Sequence, residues 1–308
     1  MINNLNKWEK LGRFIEPSPE VSWMATFTGP SFASPQKNSS LVDVYITGRD
    51  IKNRSLIGKI VVNLKDLSKI VSTSQDPIFN LGELGCFDEN GVSYPLIVES
   101  GNVRYLYYVG WMPSVLTPFL NFIGLAKAPL NSDDFVRVSR APILGRTNEE
   151  PFSTGSAFVL KEEKWKMWYT SFLKWGEKEN DHKHYYVIKY AESIDGINWK
   201  RKNKICINIA DPSEYSICKP SVLKIKGKYH MWYVYRGEQY RIGYAHSDDG
   251  INWERRDDLV GIDVSSFGWD SVAMSYPHVF KYDKYLYMLY CGNEYGKEGL
   301  GIAKLKIN

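Results

Sequence analysis

Along most of the chain, apolar and polar positions alternate with a period of two in short runs broken by Gly, Asp and Asn. Alternation of this kind, bounded by turn residues, predicts half-buried strands joined by hairpins. Two stretches are nearly the same: Tyr190 to Arg201 reads YAESIDGINWKR, and Tyr244 to Arg255, starting 54 residues later, reads YAHSDDGINWER. A weaker copy, LAKAPLNSDDFVRV, runs from Leu125 to Val138, starting 65 residues before the first. Self-similarity at this spacing marks a repeat architecture.

The same order of elements precedes each copy. A short apolar strand comes first: Tyr94-Pro-Leu-Ile-Val, Gly155-Ser-Ala-Phe-Val-Leu, Lys219-Pro-Ser-Val-Leu and Tyr276-Pro-His-Val-Phe. An aromatic strand follows, beginning at Tyr105, Trp165, Tyr229 and Tyr285. After a loop of variable length, a third strand ends in Gly-x-Ala or Tyr-Ala, and an S-x-D-G-x-x-W turn leads into a fourth. A divergent first unit places its inner strand in Met24 to Ser34, its second in Leu41 to Arg49 and its third in Leu56 to Leu64. Repeated four-stranded antiparallel units predict an all-β fold, a five-bladed β-propeller occupying residues 1–308 as one domain. The last unit stops after its third strand, at Leu300-Gly-Ile-Ala-Lys-Leu-Lys, and the N-terminal Trp8-Glu-Lys-Leu-Gly-Arg-Phe-Ile resembles the fourth strands Trp199-Lys-Arg-Lys and Trp253-Glu-Arg-Arg. The N-terminal strand is therefore expected to complete the last blade and close the ring, which removes an open sheet edge.

Composition supports the β reading and narrows the function. Hydrophobic content of 44% and charged content of 24% suit a globular chain. The aromatic share is high, at 14%, and aromatic residues favour pleated, half-buried surfaces. A net charge of +4, spread along the chain, argues against a nucleic-acid partner. The N-terminus has no apolar core of a secretory signal, and no stretch approaches a membrane span. Cys86, Cys206, Cys218 and Cys291 lie far apart without C-x-x-C spacing, so free thiols and a cytoplasmic location are expected. No phosphate-binding loop, dinucleotide fingerprint or nucleophile elbow occurs, and no cofactor is expected.

Some repeated features need no function. Asp195-Gly196 and Asp249-Gly250 are tight-turn residues, and Trp199 and Trp253 are expected to pack between blades. His182 and His184 sit in the polar loop Glu177 to His184 with no further metal ligands adjacent, so no metal site is expected. His278, after an inner-strand proline, reads as a hydrogen-bonded core histidine or a channel residue.

Two sets of positions converge on the face where a propeller carries its pocket. One is a recurring acid: Asp88, Glu150 and Asp270 lie seven residues before Pro95, Ala157 and Pro277, and Glu214 lies six before Pro220. Asp50 joins them from the first unit. Paired carboxylates are the usual equipment for glycosidic cleavage, so Asp88 and Glu214 are the first acid/base candidates, with Asp270, Glu150 and Asp50 behind them. The bland alternative is that these acids satisfy loop amides. The second set sits between second and third strands: Arg49, Trp111, Trp175, Arg236, Glu238, Tyr240, Arg241, Asn293, Glu294 and Tyr295, to which Tyr276 adds from an inner strand. Aromatic rings stack on sugar faces, and Arg forks grip anions and hydroxyls.

With its Ala-x-Ser-x-Asp-Gly-x-x-Trp turns, the chain resembles the five-bladed glycoside hydrolases of families 32, 43, 68 and 130. Gly85-Cys-Phe-Asp-Glu-Asn-Gly-Val, Tyr108-Val-Gly-Trp, Gly268-Trp-Asp-Ser and Gly292-Asn-Glu-Tyr-Gly are similar to uncharacterised propeller proteins encoded beside bacterial surface-polysaccharide genes. The resemblance implies a carbohydrate-active protein. In those hydrolases three pocket acids act, and in family 43 they stand at the start of inner strands. Here the residues before the inner-strand prolines are Gly29, Tyr94, Lys219 and Tyr276, and the Arg49-Asp50 pair that resembles family 32 is followed by Ile51 rather than proline. Two readings follow. One is an enzyme hydrolysing or transferring a glycan, sugar conjugate or nucleotide-sugar. The other is a non-catalytic sugar-binding or scaffold module in polysaccharide assembly. A protein-interaction propeller is a third.

Overall fold

A computed structural model describes residues 7–176 and 183–307. Strands dominate, and the helices among the described residues are short 3-10 turns. After β1 (Glu9–Ile15), the strands β2 (Phe27–Pro35), β3 (Leu41–Arg49), β4 (Ser55–Asn63) and β5 (Asp66–Thr73) pair antiparallel in chain order. The same holds for β6 (Gly91–Ser100), β7 (Val103–Pro113), β8 (Phe119–Pro129) and β9 (Val136–Arg137). It holds again for β10 (Thr154–Lys161), β11 (Trp165–Trp175), β12 (His184–Ser193) and β13 (Lys200–Ile207). A further unit is β14 (Ser216–Ile225), β15 (Lys228–Arg236), β16 (Tyr240–Ser247) and β17 (Glu254–Arg255). Finally β18 (Ser275–Tyr282), β19 (Tyr285–Cys291) and β20 (Leu300–Lys306) pair in turn, and β1 adds to β20. The N-terminal strand thus takes the outer place beside β20 that β5, β9, β13 and β17 take in their own units.

The first strands contact one another in the order β2, β6, β10, β14, β18, and β18 contacts β2. This is a propeller-like arrangement, with one strand of every unit near the centre. Each first strand carries a register shift at the same place: between Thr28 and Ser31, Ser93 and Leu96, Thr154 and Ala157, Cys218 and Ser221, and Ser275 and His278. Pro30, Pro95, Pro220 and Pro277 fall inside those shifts, where the missing N–H costs no ladder bond.

The repeated turn is a docking device. Ser193 Oγ accepts the Gly196 N–H at 2.9 Å, and Asp195 Oδ1 accepts those of Ile197 and Asn198 at 2.9 and 2.8 Å. Ser247 and Asp249 repeat the pattern around Gly250. The buried turn carbonyls then receive donors from the preceding unit: Tyr107 Oη donates to Gly196 O, and Trp168 Nε1 to Gly250 O, each at 2.7 Å. Trp199 sets its edge against Tyr107, and Trp253 against Trp168, with ring centroids 6.0 Å apart in both pairs. His182 and most of the polar loop 177–184 lie outside the described residues. His184 opens β12 instead of ending a loop.

Candidate functional site

The recurring acids do not form a ring around a common cavity. Each is buried and held by a second-strand tyrosine, a basic residue of an outer strand, or both. Asp88 Oδ2 accepts from Tyr108 Oη at 3.0 Å and Arg137 Nε at 2.7 Å. Glu150 accepts from Tyr169 Oη at 2.9 Å, Lys189 Nζ at 3.1 Å and Arg201 Nη1 at 2.8 Å. Glu214 takes both Arg255 Nη groups, at 2.8 and 2.6 Å. Asp270 takes Lys10 Nζ at 2.8 Å and Tyr290 Oη at 3.1 Å. The basic partners Arg137, Arg201, Arg255 and Lys10 stand on β9, β13, β17 and β1, each two residues after Phe135, Trp199, Trp253 or Trp8. The acid recurs because its outer-strand base recurs. Asp50 shapes its own loop: it accepts the Lys52 and Arg54 N–H groups at 2.9 Å and pairs with the Arg54 side chain at 2.7 Å. Burial works to raise its pKa, but the bonds from Arg54 outweigh it and hold the carboxyl below its ordinary range. The expectation that these acids converge on a pocket is corrected by these bonds: the described lining of the cavity contains none of the five.

The cavity lies over the first-strand register shifts and holds about 590 Å³. Of the residues named from the sequence as ligand contacts, Arg49, Trp111, Arg236, Tyr240, Tyr276 and Tyr295 line it. Trp175, Arg241 and Asn293 do not. Trp175 packs behind the wall, against Phe119, Phe172 and His184. Arg241 Nη1 donates to the carbonyls of Tyr240 and Val272. Asn293 Oδ1 accepts from the Val272 and Ala273 N–H groups, so it fixes a loop.

Residues the sequence did not single out complete the wall: Tyr94, Phe119, Asn121, Phe172, Tyr186 and Cys218. Tyr94 had a legible signal, since it shares with Tyr276 the place before an inner-strand proline. The tyrosines form a floor. Tyr186 and Tyr240 share a hydroxyl–hydroxyl bond of 2.9 Å, and the rings of Tyr94 and Tyr276 meet edge to face at 5.4 Å. Burial raises the pKa of Tyr94, Tyr186 and Tyr276 well above the ordinary value, so these hydroxyls stay protonated at neutral pH. Asn121 Oδ1 is buried with no hydrogen-bond partner among the described residues.

Charge in the cavity is uneven. Arg49 spreads over Phe27 at 4.6 Å and reaches Asn53 Oδ1 at 3.0 Å. Arg236 lies 5.0 Å from the Tyr240 ring and 5.7 Å from that of Tyr295. The Nε of each arginine is buried with no hydrogen-bond partner among the described residues. Glu294 is the one carboxylate in the described lining, and it pairs with Lys297 at 2.8 Å. Aromatic walls, hydroxyl and amide groups, and arginines with no carboxylate partner among the described residues suit a sugar carrying an anion. Among the described residues, no pair of carboxylates lines the cavity. Among the described residues, no group of three or more His, Cys, Asp or Glu side chains is placed to hold a metal ion, and no helix is long and apolar enough to cross a membrane.

No family model matches the chain. Over 303 residues, 97% of this chain and 99% of the relative, it is 37% identical to the uncharacterised protein MT1551 of Mycobacterium tuberculosis (strain CDC 1551 / Oshkosh), and it matches Rv1502 of strain H37Rv to the same extent. A stretch of 132 residues, 38% of this chain and 44% of the relative, is 30% identical to a β-1,2-mannobiose phosphorylase of Thermoanaerobacter sp. (strain X514). Among solved structures, a glycoside hydrolase of the GH130 family, described as targeting β-1,2 mannosidic linkages in Candida mannan, superposes with a TM-score of 0.74, 14% identity and coverage of 98% of this chain and 94% of that one. A thermostable family-43 glycoside hydrolase superposes with a TM-score of 0.65, 17% identity and coverage of 96% and 92%. These structural neighbours are glycoside hydrolases, and at such identities the likeness is one of fold.

Proposed function

Since the chain belongs to the family of the M. tuberculosis proteins MT1551 and Rv1502, and its fold is that of glycoside hydrolases, we propose that it is a carbohydrate-active, five-bladed β-propeller whose cavity takes a sugar conjugate bearing a phosphate or carboxylate. The five blades are the four units β2–β5, β6–β9, β10–β13 and β14–β17, and the sheet in which β1 completes β18–β20; the contact of β18 with β2 supports closure. The observation that carries the ligand class is the pair Arg49 and Arg236, cavity-lining cations whose Nε atoms are buried without an acceptor and which have no carboxylate partner among the described residues. Trp111, Tyr240, Tyr276 and Tyr295 supply the stacking surfaces. A nucleotide-sugar and a sugar 1-phosphate both belong to this class.

Within this reading Asp88, Glu150, Glu214, Asp270 and Asp50 are structural ion-pair partners, and Glu294 is the carboxylate able to exchange a proton with a ligand. Retaining or inverting hydrolysis needs two carboxyls about 5–5.5 Å or 6.5–9.5 Å apart, and the described lining offers one. Transfer, in which the ligand's own anion is nucleophile or leaving group, fits better, and the stretch shared with a protein named as a phosphorylase favours it. Binding without turnover is the other outcome of the same geometry. The free thiols Cys86, Cys206, Cys218 and Cys291 are in keeping with a cytoplasmic place in surface-polysaccharide metabolism.

Calorimetry against mannose 1-phosphate, glucose 1-phosphate, GDP-mannose and the neutral methyl mannoside, followed by mass spectrometry of the mixtures, tests the proposal. At least one anionic ligand is expected to bind more tightly than the neutral glycoside by about tenfold or more, in line with about 1.5–3 kcal/mol for a charged hydrogen bond. New products indicate transfer, and unchanged ligand indicates a binding module. Equal affinity for neutral and anionic sugars, or binding of none, overturns the anionic ligand class.

A further inference from the structure

Lys219 occupies the register shift of β14, the place that Gly29, Tyr94, Gly155 and Tyr276 occupy in the other first strands. Its backbone is left-handed, with φ +51°, as are Tyr94 at +53° and Tyr276 at +55°. Glycine would hold this conformation without strain, whereas another residue there costs about 1–3 kcal/mol. At this bulge Lys219 is 4% exposed.

Its ammonium has a poor set of partners. Nζ reaches Pro277 O at 3.5 Å, and the described residues provide no other acceptor. The titratable groups facing it are the thiol of Cys218 on its own strand, that of Cys291 on β19 and the imidazole of His278 on β18. None is an anion at neutral pH. Burial and the nearby Lys219 hold His278 neutral, at about 3, and burial lifts the Cys218 thiol to about 12. An ammonium buried without a counter-charge costs several kcal/mol, and an apolar side chain of that length would not incur the cost. Cys218 and Ser156 line the cavity on either side of this bulge, and Ser156 Oγ accepts the Lys219 N–H at 3.0 Å, so the Lys219 backbone borders the cavity floor although its side chain is not itself in the described lining.

We propose that Lys219 is the innermost contact of the ligand: its ammonium joins Arg236 in gripping the anionic group where that group meets the cavity floor. The incoming anion supplies the missing counter-charge. This rests on the reading of the cavity as an anionic-sugar site and adds the residue that fixes how deep the anion sits.

The experiment compares wild type, Lys219→Met, Lys219→Arg and Arg236→Ala by calorimetry, with inorganic phosphate and mannose 1-phosphate as probes. Lys219→Met is expected to fold, to unfold at the same or a higher temperature, and to bind both probes about 10–100-fold more weakly, as for loss of one charged hydrogen bond. Lys219→Arg is expected to recover part of the affinity. Wild type is expected to take up a proton on binding near pH 8, read from two buffers of different ionisation enthalpy, and Lys219→Met to take up none. Wild-type affinity in Lys219→Met beside weakened binding in Arg236→Ala overturns this role and leaves the cavity reading standing. No binding of either probe by wild type overturns both. If Lys219→Met fails to fold, lysine-labelled wild type followed by carbon-13 NMR still decides: saturating phosphate is expected to raise the titration midpoint of Lys219, and an unmoved midpoint overturns the proposal.

Discussion

Arg255 meets Glu214 fork to fork, Nη1 to Oε2 at 2.8 Å and Nη2 to Oε1 at 2.6 Å, across 41 residues of sequence. A single-contact ion pair at the same place joins Asp88 to Arg137, Glu150 to Arg201 and Asp270 to Lys10. Each ties the loop entering a first strand to the unit's outermost strand. Carboxylates at a fixed offset before the inner strands are therefore a property of the repeat.

Removing one member of such a pair leaves the other buried and uncompensated, which costs about 3–5 kcal/mol. Glu150→Gln and Asp88→Asn are each expected to lower stability by an amount of that order, because the neutral amide keeps the shape and loses the charge, and Glu214→Gln by less, because Arg255 keeps Asp257 Oδ2 at 2.6 Å. Phosphate affinity is expected to stay within about twofold, since none of the three touches the cavity. Denaturant titration paired with calorimetry checks both. Loss of affinity or turnover in a variant of unchanged stability restores these acids to the active site.

Trp111 and Arg236 line the same cavity with different chemistry, and the two contributions separate by probe. Trp111→Ala is expected to weaken mannose 1-phosphate by about tenfold, through lost stacking and apolar contact of about 1–2 kcal/mol, and to leave inorganic phosphate unaffected. Arg236→Ala is expected to weaken both. A Trp111→Ala variant that loses phosphate as well places the tryptophan at the anion and overturns the division.

Much of the fold was legible because turns and strands are local. The S-x-D-G-x-x-W turn, the aromatic second strands and the likeness of Trp8-Glu9-Lys10 to Trp253-Glu254-Arg255 all depend on neighbours in sequence, and β1 pairs beside β20 as that likeness suggested. The cavity was half legible: residues at the ends of second strands, such as Arg49, Trp111 and Arg236, point inward because their strands end there. The acids were misread because their partners stand on β9, β13, β17 and β1, and offset alone does not tell which way a loop side chain turns. Lys219 was visible as a departure from the hydrolase pattern, but its isolation depends on groups brought in by β18 and β19.

The repeated turn offers a cleaner stability test. Gly250 has φ +78°, and a Cβ there would stand 3.1 Å from Trp168, the side chain that donates to its carbonyl. Gly227 has φ +85° with nothing within 4 Å. Gly227→Ala therefore isolates the left-handed penalty, about 1–2 kcal/mol, and Gly250→Ala is expected to cost more by the disturbance of the Trp168 bond, about 1 kcal/mol. Equal losses in the two variants deny the turn any part in holding neighbouring units together.

Lys219 gives the fold a pH dependence of definite sign. Burial pushes its pKa down to about 8, with the thiols of Cys291 and Cys218 acting weakly the other way, against 10.5 when exposed. Between those values the unfolded chain binds a proton that the folded chain does not, so stability rises with pH across that window. Below about pH 8 both states are protonated and the full penalty stands, about 3 kcal/mol for a shift of this size. Relative to Lys219→Met, wild type is therefore expected to be less stable at pH 7 and to close the gap between pH 8 and 10.5, with the variant serving to cancel every other titration. Saturating phosphate is expected to flatten the trend by giving the ammonium its counter-charge. A difference between the two proteins that does not change from pH 7 to 10.5 means that the amine is already satisfied, and the case for an anion at the cavity floor goes with it.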